Sequence, residues 1–261
     1  MRKAILLVCF GTANKEAIEN CLIPMEDEIR KEFNNKYLVL KAFTSKTLIR
    51  ILKTKEDISV PRIDEALFYL SSEGYKEVII QPLHVMAGKE YEDIKEVMKN
   101  YSYSFKSLKI GRSLLGFKGK ELEEACDRVI NSIITEKDKN KNIVIIGHGS
   151  KTSSNESYYK LEERFKYLGY EKLLIGTLDG ERDQEVIINE LKEKEIKEVL
   201  VMSLLILPGN HAKKQIESGE KSWVHRLRNQ GIRVEVNMKA LLEYEEIRSI
   251  YKKEINRLIS N

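Results

Sequence analysis

The chain of 261 residues has only four histidines, and two of them follow predicted strands closely. His148 stands between two glycines in "IVIIGHGSKTS", after the apolar run 143–146 that is typical of a buried strand. His211 follows the turn of "LLILPGNHA", after a second apolar run. Because the carboxyl ends of the strands in an open parallel sheet line one crevice, we expect the two imidazoles to point into the same space.

Two convergent imidazoles indicate a site for a divalent metal. Imidazole suits cobalt, nickel, iron and zinc, and a carboxylate commonly completes such a ligand set. Asp179, in "GTLDG", follows the predicted strand between the two histidines and is the natural third ligand. Each residue also has a simpler interpretation, since a single strand-end histidine is often a satisfied polar residue and "DG" is an ordinary turn dipeptide. Taken together, His148, Asp179 and His211 predict a metal site.

The other two histidines give weaker signals. His84, inside "QPLHVMAGKEY", fits either a residue that contacts a ligand or a packed core histidine, and His225, inside "WVHRLRNQG", fits a helix surface and has no predicted role. No GxSxG, GxxxxGK[ST] or GxGxxG motif follows a predicted strand, which disfavours a serine hydrolase, a P-loop enzyme and a dinucleotide-binding domain. Helix N-termini after "FGTAN" and "GHGSKTS" leave a phosphotransfer enzyme with a catalytic histidine as an alternative.

Apolar runs followed by amphipathic stretches recur along the chain, and this pattern predicts βα units with a parallel sheet covered by helices on both faces. Strands are predicted at 3–9, 37–43, 77–83, 107–111, 143–147, 172–176, 197–206 and 232–236. Helices are predicted at 14–33, 45–55, 62–73, 89–100, 119–135, 154–168, 183–194, 211–217, 222–229 and 243–258.

The charged segment "TEKDKNKN", residues 135–142, has no apolar residue and is predicted to be a linker. The expected fold class is therefore α/β, with two similar domains that each contain a parallel sheet flanked by helices and with a cleft between them. The domains are predicted at 1–135 and 143–240. Residues 241–261 are expected to form a C-terminal helix that packs back on the N-terminal domain.

The two halves of the chain resemble each other. "KEVIIQPLHVMAGKEYEDI" aligns without a gap on "KEVLVMSLLILPGNHAKKQI", so that Gly88 falls on Gly209 and Glu90 falls on His211. "LLVCFGTAN" likewise corresponds to "IVIIGHGSKT". A duplication explains these matches, while the alternative is that any two βα units look alike.

Composition excludes several classes of protein. The net charge is only +4, from 45 basic and 41 acidic residues that alternate along predicted helices, so no nucleic-acid partner is expected. No apolar stretch reaches the length of a membrane helix, and "MRKAILLVCFGTAN" fits a first buried strand better than a signal peptide, so we expect no membrane association and a cytoplasmic location. Three scattered cysteines without a CxxC pair predict neither a disulfide framework nor a zinc knuckle.

Six short motifs, in a fixed order along the chain, resemble those of a known protein family. "CFGT", "AFTS", "QPLHVMAGKEY", "GHGS", "GTLDG" and "LLILPGNHA" occur in this order over nearly the whole sequence, which resembles the anaerobic cobalt chelatases of cobalamin biosynthesis, a family of class II chelatases. The resemblance implies an enzyme that inserts Co²⁺ into the tetrapyrrole sirohydrochlorin, or into precorrin-2, without a nucleotide. Insertion of iron or nickel, and a non-catalytic carrier of tetrapyrrole or metal, are the alternatives.

The resemblance also assigns roles to individual residues. His148 and His211 match the family's paired metal-binding histidines, whereas Asp179 stands where the family usually has glutamate. A neutral imidazole can both replace water on the ion and accept a pyrrole proton near neutral pH, since its ordinary pKa is about 6.5. His148, His211 and Glu90 are therefore the predicted catalytic residues. Glu90 alternatively serves as a first-turn glutamate that the helix dipole favours.

A substrate with several carboxylates needs polar anchors as well as an apolar surface for its ring. The predicted substrate contacts lie in the first half of the chain and are Phe10, Gly11, Thr12, Ser45, His84 and Gly88. A homo-oligomer is compatible with the sequence, which contains no feature that sets the number of subunits.

Overall fold

The computed structural model describes residues 1–33, 36–150 and 155–260. The chain divides into two compact units, of which unit 1 contains Met1–Phe117 and Arg248–Asn261 and unit 2 contains Lys118–Ile247. Each unit is built on a four-stranded parallel sheet. The predicted fold class, two similar α/β units with a parallel sheet in each, is confirmed.

The eight strands occur where the apolar runs predict them. In unit 1 they are β1 (Lys3–Cys9), β2 (Leu38–Phe43), β3 (Glu77–Pro82) and β4 (Ser107–Ile110), in the spatial order β2-β1-β3-β4. In unit 2 they are β5 (Ile143–Gly149), β6 (Leu173–Asp179), β7 (Glu198–Leu204) and β8 (Arg233–Asn237), in the order β6-β5-β7-β8. The strands β5 and β6 run further than predicted, so that His148 and Asp179 belong to the last residues of their strands.

The helices also follow the predicted pattern. The α-helices are α1 (Lys15–Ala17), α2 (Ile23–Phe33), α3 (Lys46–Glu56), α4 (Ile63–Ser72), α5 (Lys89–Asn100), α6 (Gly119–Ile133), α7 (Glu156–Tyr167), α8 (Gln184–Glu193), α9 (Asn210–Lys213), α10 (Trp223–Asn229) and α11 (Glu245–Ser260). Two π-helical turns, Ile18–Leu22 and Lys214–Ser218, continue α1 and α9. Within the described residues, no helix has the length and apolar character needed to cross a membrane.

Each unit has its own apolar core between the sheet and its helices. In unit 1, Leu6 and Ile80 of neighbouring strands pack with Leu67 of α4, and all three are fully buried. In unit 2, Trp223 at the start of α10 packs over the sheet at Gly176, where a Cβ atom would lie 2.3 Å from the indole ring. Strands covered on both faces require continuous apolar runs, which is why the sequence pattern located them so well.

The division into units differs from the predicted boundary near residue 135. Helix α6 groups with unit 2, where Arg164 of α7 donates two hydrogen bonds to the carboxylate of Asp127, at 2.6 and 2.8 Å. Most of α11 groups with unit 1, where Arg248 donates to Glu28 at 2.6 Å. A charged segment in the sequence indicates a loop between two elements. It does not indicate the unit on which the preceding helix packs, because that depends on side chains far away in the sequence.

The two sheets share one topology, which supports the predicted internal repeat. In both, the first strand of the unit is central, the second lies on one side and the third on the other. Gly88 and Gly209 stand at the N-caps of α5 and α9, so Glu90 and His211 each occupy the second position of a helix. The positions matched in the sequence are therefore equivalent in the fold.

Candidate metal and substrate site

The carboxyl edge of the second sheet carries the residues with the strongest signal for metal binding. His148 is the penultimate residue of the central strand β5, Asp179 is the last residue of the neighbouring β6, and His211 follows β7 on the other side. The Nδ1 atom of His148 lies 3.8 Å from Oδ2 of Asp179, and their side chains are 65% and 54% exposed. An imidazole and a carboxylate that are this close and this accessible can bind one ion from solvent.

Gly149 makes the close approach of β5 and β6 possible. Its φ of +77° is unfavourable for residues with a side chain, and a Cβ atom at this position would lie 1.7 Å from the backbone oxygen of Asp179. Gly149 pairs with Asp179 in the sheet register. The glycine after His148 therefore lets the two strand ends meet.

His211 is exposed in the first turn of α9 and does not complete a set of three ligands in this structure. Among residues 1–33, 36–150 and 155–260, no three His, Cys, Asp or Glu side chains lie close enough to hold one ion. The structure thus brings together two members of the predicted ligand set, His148 and Asp179. An ion bound by this pair alone would keep further coordination positions open.

The predicted contacts near the first strand have different surroundings. Phe10 is 51% exposed, and Gly11, with φ of +103°, packs against the ring of Phe43, which a Cβ atom would approach to 2.5 Å. Thr12 is fully buried and its Oγ1 accepts a hydrogen bond from the Asn14 backbone at 3.1 Å. Of these predicted contacts, the Phe10 ring offers an accessible apolar surface.

Ser45 and Gly88 both stand at helix N-termini. The Ser45 hydroxyl caps α3 by accepting a hydrogen bond from the Leu48 backbone at 3.4 Å, which is a local structural role. Gly88 is the N-cap of the 12-residue α5 and forms no side-chain cap. The backbone amides that follow Gly88 include donors without an intrahelical acceptor, as at every helix start.

His84 is held in place by its backbone while its ring is shielded. Its carbonyl oxygen accepts hydrogen bonds from the Leu114 backbone and the Tyr251 hydroxyl, each at 2.9 Å. Neither ring nitrogen has a hydrogen-bond partner among the described residues. Burial lowers the pKa of His84 to about 4, and the negative charge of Glu90 opposes this effect. His84 is therefore a neutral imidazole at ordinary pH.

A depression beside His211 contains residues that the sequence reasoning missed. It has a volume of about 950 Å³ and lies within unit 2, between the start of α8, the π-helical turn after α9 and the start of α10. Its polar lining includes Gln184, His211, Lys214, Lys221 and Arg226. The lysines in "HAKKQ", directly after His211, were a usable signal, but Arg226 and Gln184 reach the depression only through the tertiary fold.

Comparison with known structures defines the class of protein. The fold is similar to that of SirB from Bacillus subtilis with Fe³⁺, with a TM-score of 0.65 and 15% identity over 98% of this chain and 95% of that one. It is also similar to the sirohydrochlorin chelatase SirB from Bacillus subtilis subspecies spizizenii in complex with cobalt, with a TM-score of 0.68 and 13% identity over 100% and 97% of the two chains. The fold is thus that of the chelatases.

The family follows from sequence. The profile of the family described as cobalt chelatase (CbiK) matches residues 3–260, and the chain belongs to this family. The sirohydrochlorin cobaltochelatase of Salmonella typhimurium is 26% identical over 100% of this chain and 97% of its own length. The sirohydrochlorin cobaltochelatase CbiKC of Nitratidesulfovibrio vulgaris is 28% identical over 99% and 91%. The resemblance inferred from the motifs is confirmed.

Proposed function

We propose that this chain inserts Co²⁺ into sirohydrochlorin without using a nucleotide. Its membership of the cobalt chelatase family and the names of its two curated relatives support this function. The structural observation that carries it is the accessible pair formed by His148 and Asp179, 3.8 Å apart at the carboxyl edge of a parallel sheet. Co²⁺ is a substrate in this reaction.

The first task of the enzyme is to remove water from the ion. The imidazole of His148 and a carboxylate oxygen of Asp179 replace two water ligands, and both are donors that suit divalent cobalt. Because the pair is exposed, binding the ion demands little desolvation of the protein groups. The unfilled coordination positions are then available to the pyrrole nitrogens of the macrocycle.

The second task is to remove two protons from the pyrrole nitrogens as the metal enters. His211 is the proposed acceptor of the two protons in succession, passing each to solvent, since its side chain is exposed beside the third strand end and is free of the His148 and Asp179 pair. A neutral imidazole within hydrogen-bond reach can accept such a proton. The role predicted for Glu90, a proton relay, stays part of the proposal.

The macrocycle also needs contacts that hold it without reacting. In unit 1 the exposed ring of Phe10 and the backbone amides after Gly11 and Gly88 are the proposed contacts. The Ser45 hydroxyl accepts a backbone hydrogen bond and keeps its O–H as the proposed donor to a substrate carboxylate. The fully buried Thr12 hydroxyl is proposed to act indirectly, by holding the Asn14 backbone after Gly11 in place. The neutral ring of His84 is a further proposed contact of the macrocycle.

The decisive experiment follows the absorption spectrum of metal-free sirohydrochlorin after addition of Co²⁺ and catalytic amounts of the purified protein. We expect many turnovers per protein molecule in the absence of ATP. A spectral change limited to one equivalent would indicate a carrier of metal or tetrapyrrole. Parallel reactions with Fe²⁺ and Ni²⁺ establish the metal preference, and faster insertion of either would replace cobalt in the proposal.

We also infer a cytoplasmic location. Cys9, Cys21 and Cys126 are all buried and free, as expected for a protein of a reducing compartment. Fractionation of cells with an antibody against the chain would test this, and recovery of the chain outside the cytoplasmic fraction would contradict it.

A further inference from the structure

The depression beside His211, which we name the basic groove, carries positive charges that the structure does not neutralise. Lys214, Lys221 and Arg226 line it, and all three side chains are exposed. Among the ion pairs of the described residues, none involves these three cations, whereas other helices of unit 2 carry four cations that each pair with a carboxylate, namely Lys160, Arg164, Lys166 and Lys194. Unpaired cations that share one concave surface attract an anion.

The side chain of Gln184 holds the guanidinium of Arg226 in position and is itself anchored. The Nη1 atom of Arg226 donates a hydrogen bond to Oε1 of Gln184 at 2.9 Å, and Nε2 of Gln184 donates to the backbone oxygen of Lys221 at 3.2 Å. This chain of contacts ties α10 to the start of α8. A guanidinium oriented in this way loses less conformational entropy when it binds a carboxylate with two hydrogen bonds.

The acidic residues of the groove do not offset this charge fully. Asp183 and Glu220 also line it, but one carboxylate oxygen of Asp183 accepts hydrogen bonds from the Glu185 and Val186 backbones at 2.9 and 3.1 Å and caps α8. The three cations outnumber these two carboxylates. The groove is therefore suited to a flexible carboxylate side chain that enters between the lysines and the arginine.

We propose that the basic groove binds carboxylate side chains on the rim of the tetrapyrrole and so determines which macrocycles the enzyme accepts. This inference rests on the proposed function. His211 lines the same groove, so a carboxylate bound there lies at the edge of the macrocycle nearest to the proposed proton acceptor. Lys214, Lys221 and Arg226 act as binding residues, and the loss of their charge is expected to affect affinity far more than turnover.

The test compares Arg226→Gln and the double variant Lys214→Gln/Lys221→Gln with the wild type. Direct binding of metal-free sirohydrochlorin, followed by fluorescence titration without cobalt, is expected to weaken roughly tenfold in each variant. In the insertion assay KM is expected to rise by a similar factor with kcat nearly unchanged. Lys197→Gln is the matched control, because Lys197 is an exposed cation at the opposite edge of the same sheet.

Two further experiments identify which ligand binds in the basic groove. The methyl ester of sirohydrochlorin, which lacks the carboxylate charges, is expected to bind wild type and variants equally. If the variants weaken binding of the ester as much as that of the acid, the groove does not recognise carboxylates. If millimolar inorganic phosphate protects only the wild type from thermal unfolding while the variants bind sirohydrochlorin normally, the groove is a site for a separate small anion and the proposal is wrong.

The binding titration also separates this proposal from the proposed function. It needs no turnover, so failure of the wild type to insert cobalt would overturn the function, whereas unchanged sirohydrochlorin affinity in both groove variants would overturn the groove assignment alone.

Discussion

At the scale of single residues, Asp179 is the proposed carboxylate ligand at the carboxyl edge of the second sheet. Its side chain is one methylene shorter than the glutamate that the family resemblance implies at this position, and its Oδ2 atom lies 3.8 Å from Nδ1 of His148. The extension of β6 up to Asp179 and the paired Gly149 bring the carboxylate close enough. A longer side chain would place its oxygens differently relative to the imidazole.

We expect Asp179→Ala to lower the affinity for Co²⁺ by at least about tenfold, because the ion then has one protein ligand fewer. Asp179→Glu is expected to keep activity with a changed ranking of cobalt, iron and nickel. Calorimetric titration of each metal measures both effects. Glu181→Ala is the control, since Glu181 is an exposed carboxylate in the loop that follows β6. Equal affinity for Co²⁺ in wild type and Asp179→Ala would show that Asp179 only forms a turn and is not a metal ligand.

The two exposed histidines are expected to differ in their kinetic roles. His148→Ala removes a proposed metal ligand and should weaken Co²⁺ binding together with insertion. His211→Ala removes the proposed proton acceptor and should lower kcat by roughly a hundredfold while Co²⁺ binding stays close to that of wild type. Calorimetry with Co²⁺ alone and the insertion assay separate these effects. His225→Ala serves as control, and weak metal binding in His211→Ala would make His211 a ligand.

His84 connects residue chemistry to stability. Its pKa is about 4 in the folded protein, against an ordinary value of 6.5, because burial disfavours the charged ring. The unfolded chain therefore binds a proton first as pH falls, and the stability associated with the neutral ring is complete above pH 6.5 and lost progressively towards pH 4. The loss is on the order of 3 kcal/mol.

Replacing His84 by Gln should flatten this part of the pH dependence. We expect the free energy of unfolding of His84→Gln to change less between about pH 7 and pH 4 than that of wild type, whatever its absolute value. Urea denaturation at several pH values measures it, with His225→Gln as the exposed control. If the free energy of unfolding depends on pH equally in His84→Gln and in wild type, His84 is not a buried, uncharged residue.

At the scale of secondary structure elements, the paired ends of β5 and β6 depend on a glycine. Gly149→Ala would place a methyl group 1.7 Å from the backbone oxygen of Asp179, in addition to the strain of a φ of +77°. Gly169, which follows α7, has a φ of +89°, but a methyl group added there would have no atom within 4 Å. Comparison of alanine substitutions at Gly149 and Gly169 therefore distinguishes the cost of backbone strain from the cost of steric overlap.

We expect Gly169→Ala to cost about 1 kcal/mol of stability, which is the strain of a left-handed conformation. Gly149→Ala should cost several times more or separate the two strand ends, with loss of Co²⁺ binding. Urea denaturation and metal titration of both variants provide the comparison. Similar stability losses and intact metal binding in both would show that the strand ends tolerate a side chain.

At the scale of the whole molecule, α11 completes unit 1 although it lies at the far end of the sequence. Glu254 is 2% exposed and receives hydrogen bonds from the guanidinium groups of Arg112 and Arg257. Burial acts to raise the pKa of Glu254, but the hydrogen bonds from Arg257 and Arg112 outweigh it and lower the pKa to about 2. The carboxylate thus ties the terminal helix to the segment that follows β4.

Glu254→Gln is expected to lower the free energy of unfolding by about 3 kcal/mol at neutral pH, because two guanidinium groups lose their carboxylate. The stability due to Glu254 is complete above its ordinary pKa of 4.5 and is lost as pH falls towards the folded value of about 2. The variant should therefore lose less stability than wild type over this range. Urea denaturation from pH 7 to 3 measures it, with exposed Glu245→Gln as control, and parallel curves for wild type and Glu254→Gln would contradict the assignment.

Prediction from sequence succeeded where the signal is local. Continuous apolar runs such as 143–146 located the central strands, since buried parallel strands need apolar residues on both faces. The same reasoning identified His148 and Asp179, because a polar residue at the end of a buried run must lie at the edge of the sheet. It did not identify Arg226 or Gln184, which lie on helix surfaces with no local pattern.

The sequence by itself determined the α/β class, the internal repeat and the family, because hydrophobic periodicity and ordered motifs are properties of neighbouring residues. The tertiary structure alone decided that α6 packs in unit 2, that His148 and Asp179 meet, and that three cations share a groove. These features depend on distances between side chains far apart in the chain. Such distances are set by packing of the complete fold, which local patterns do not encode.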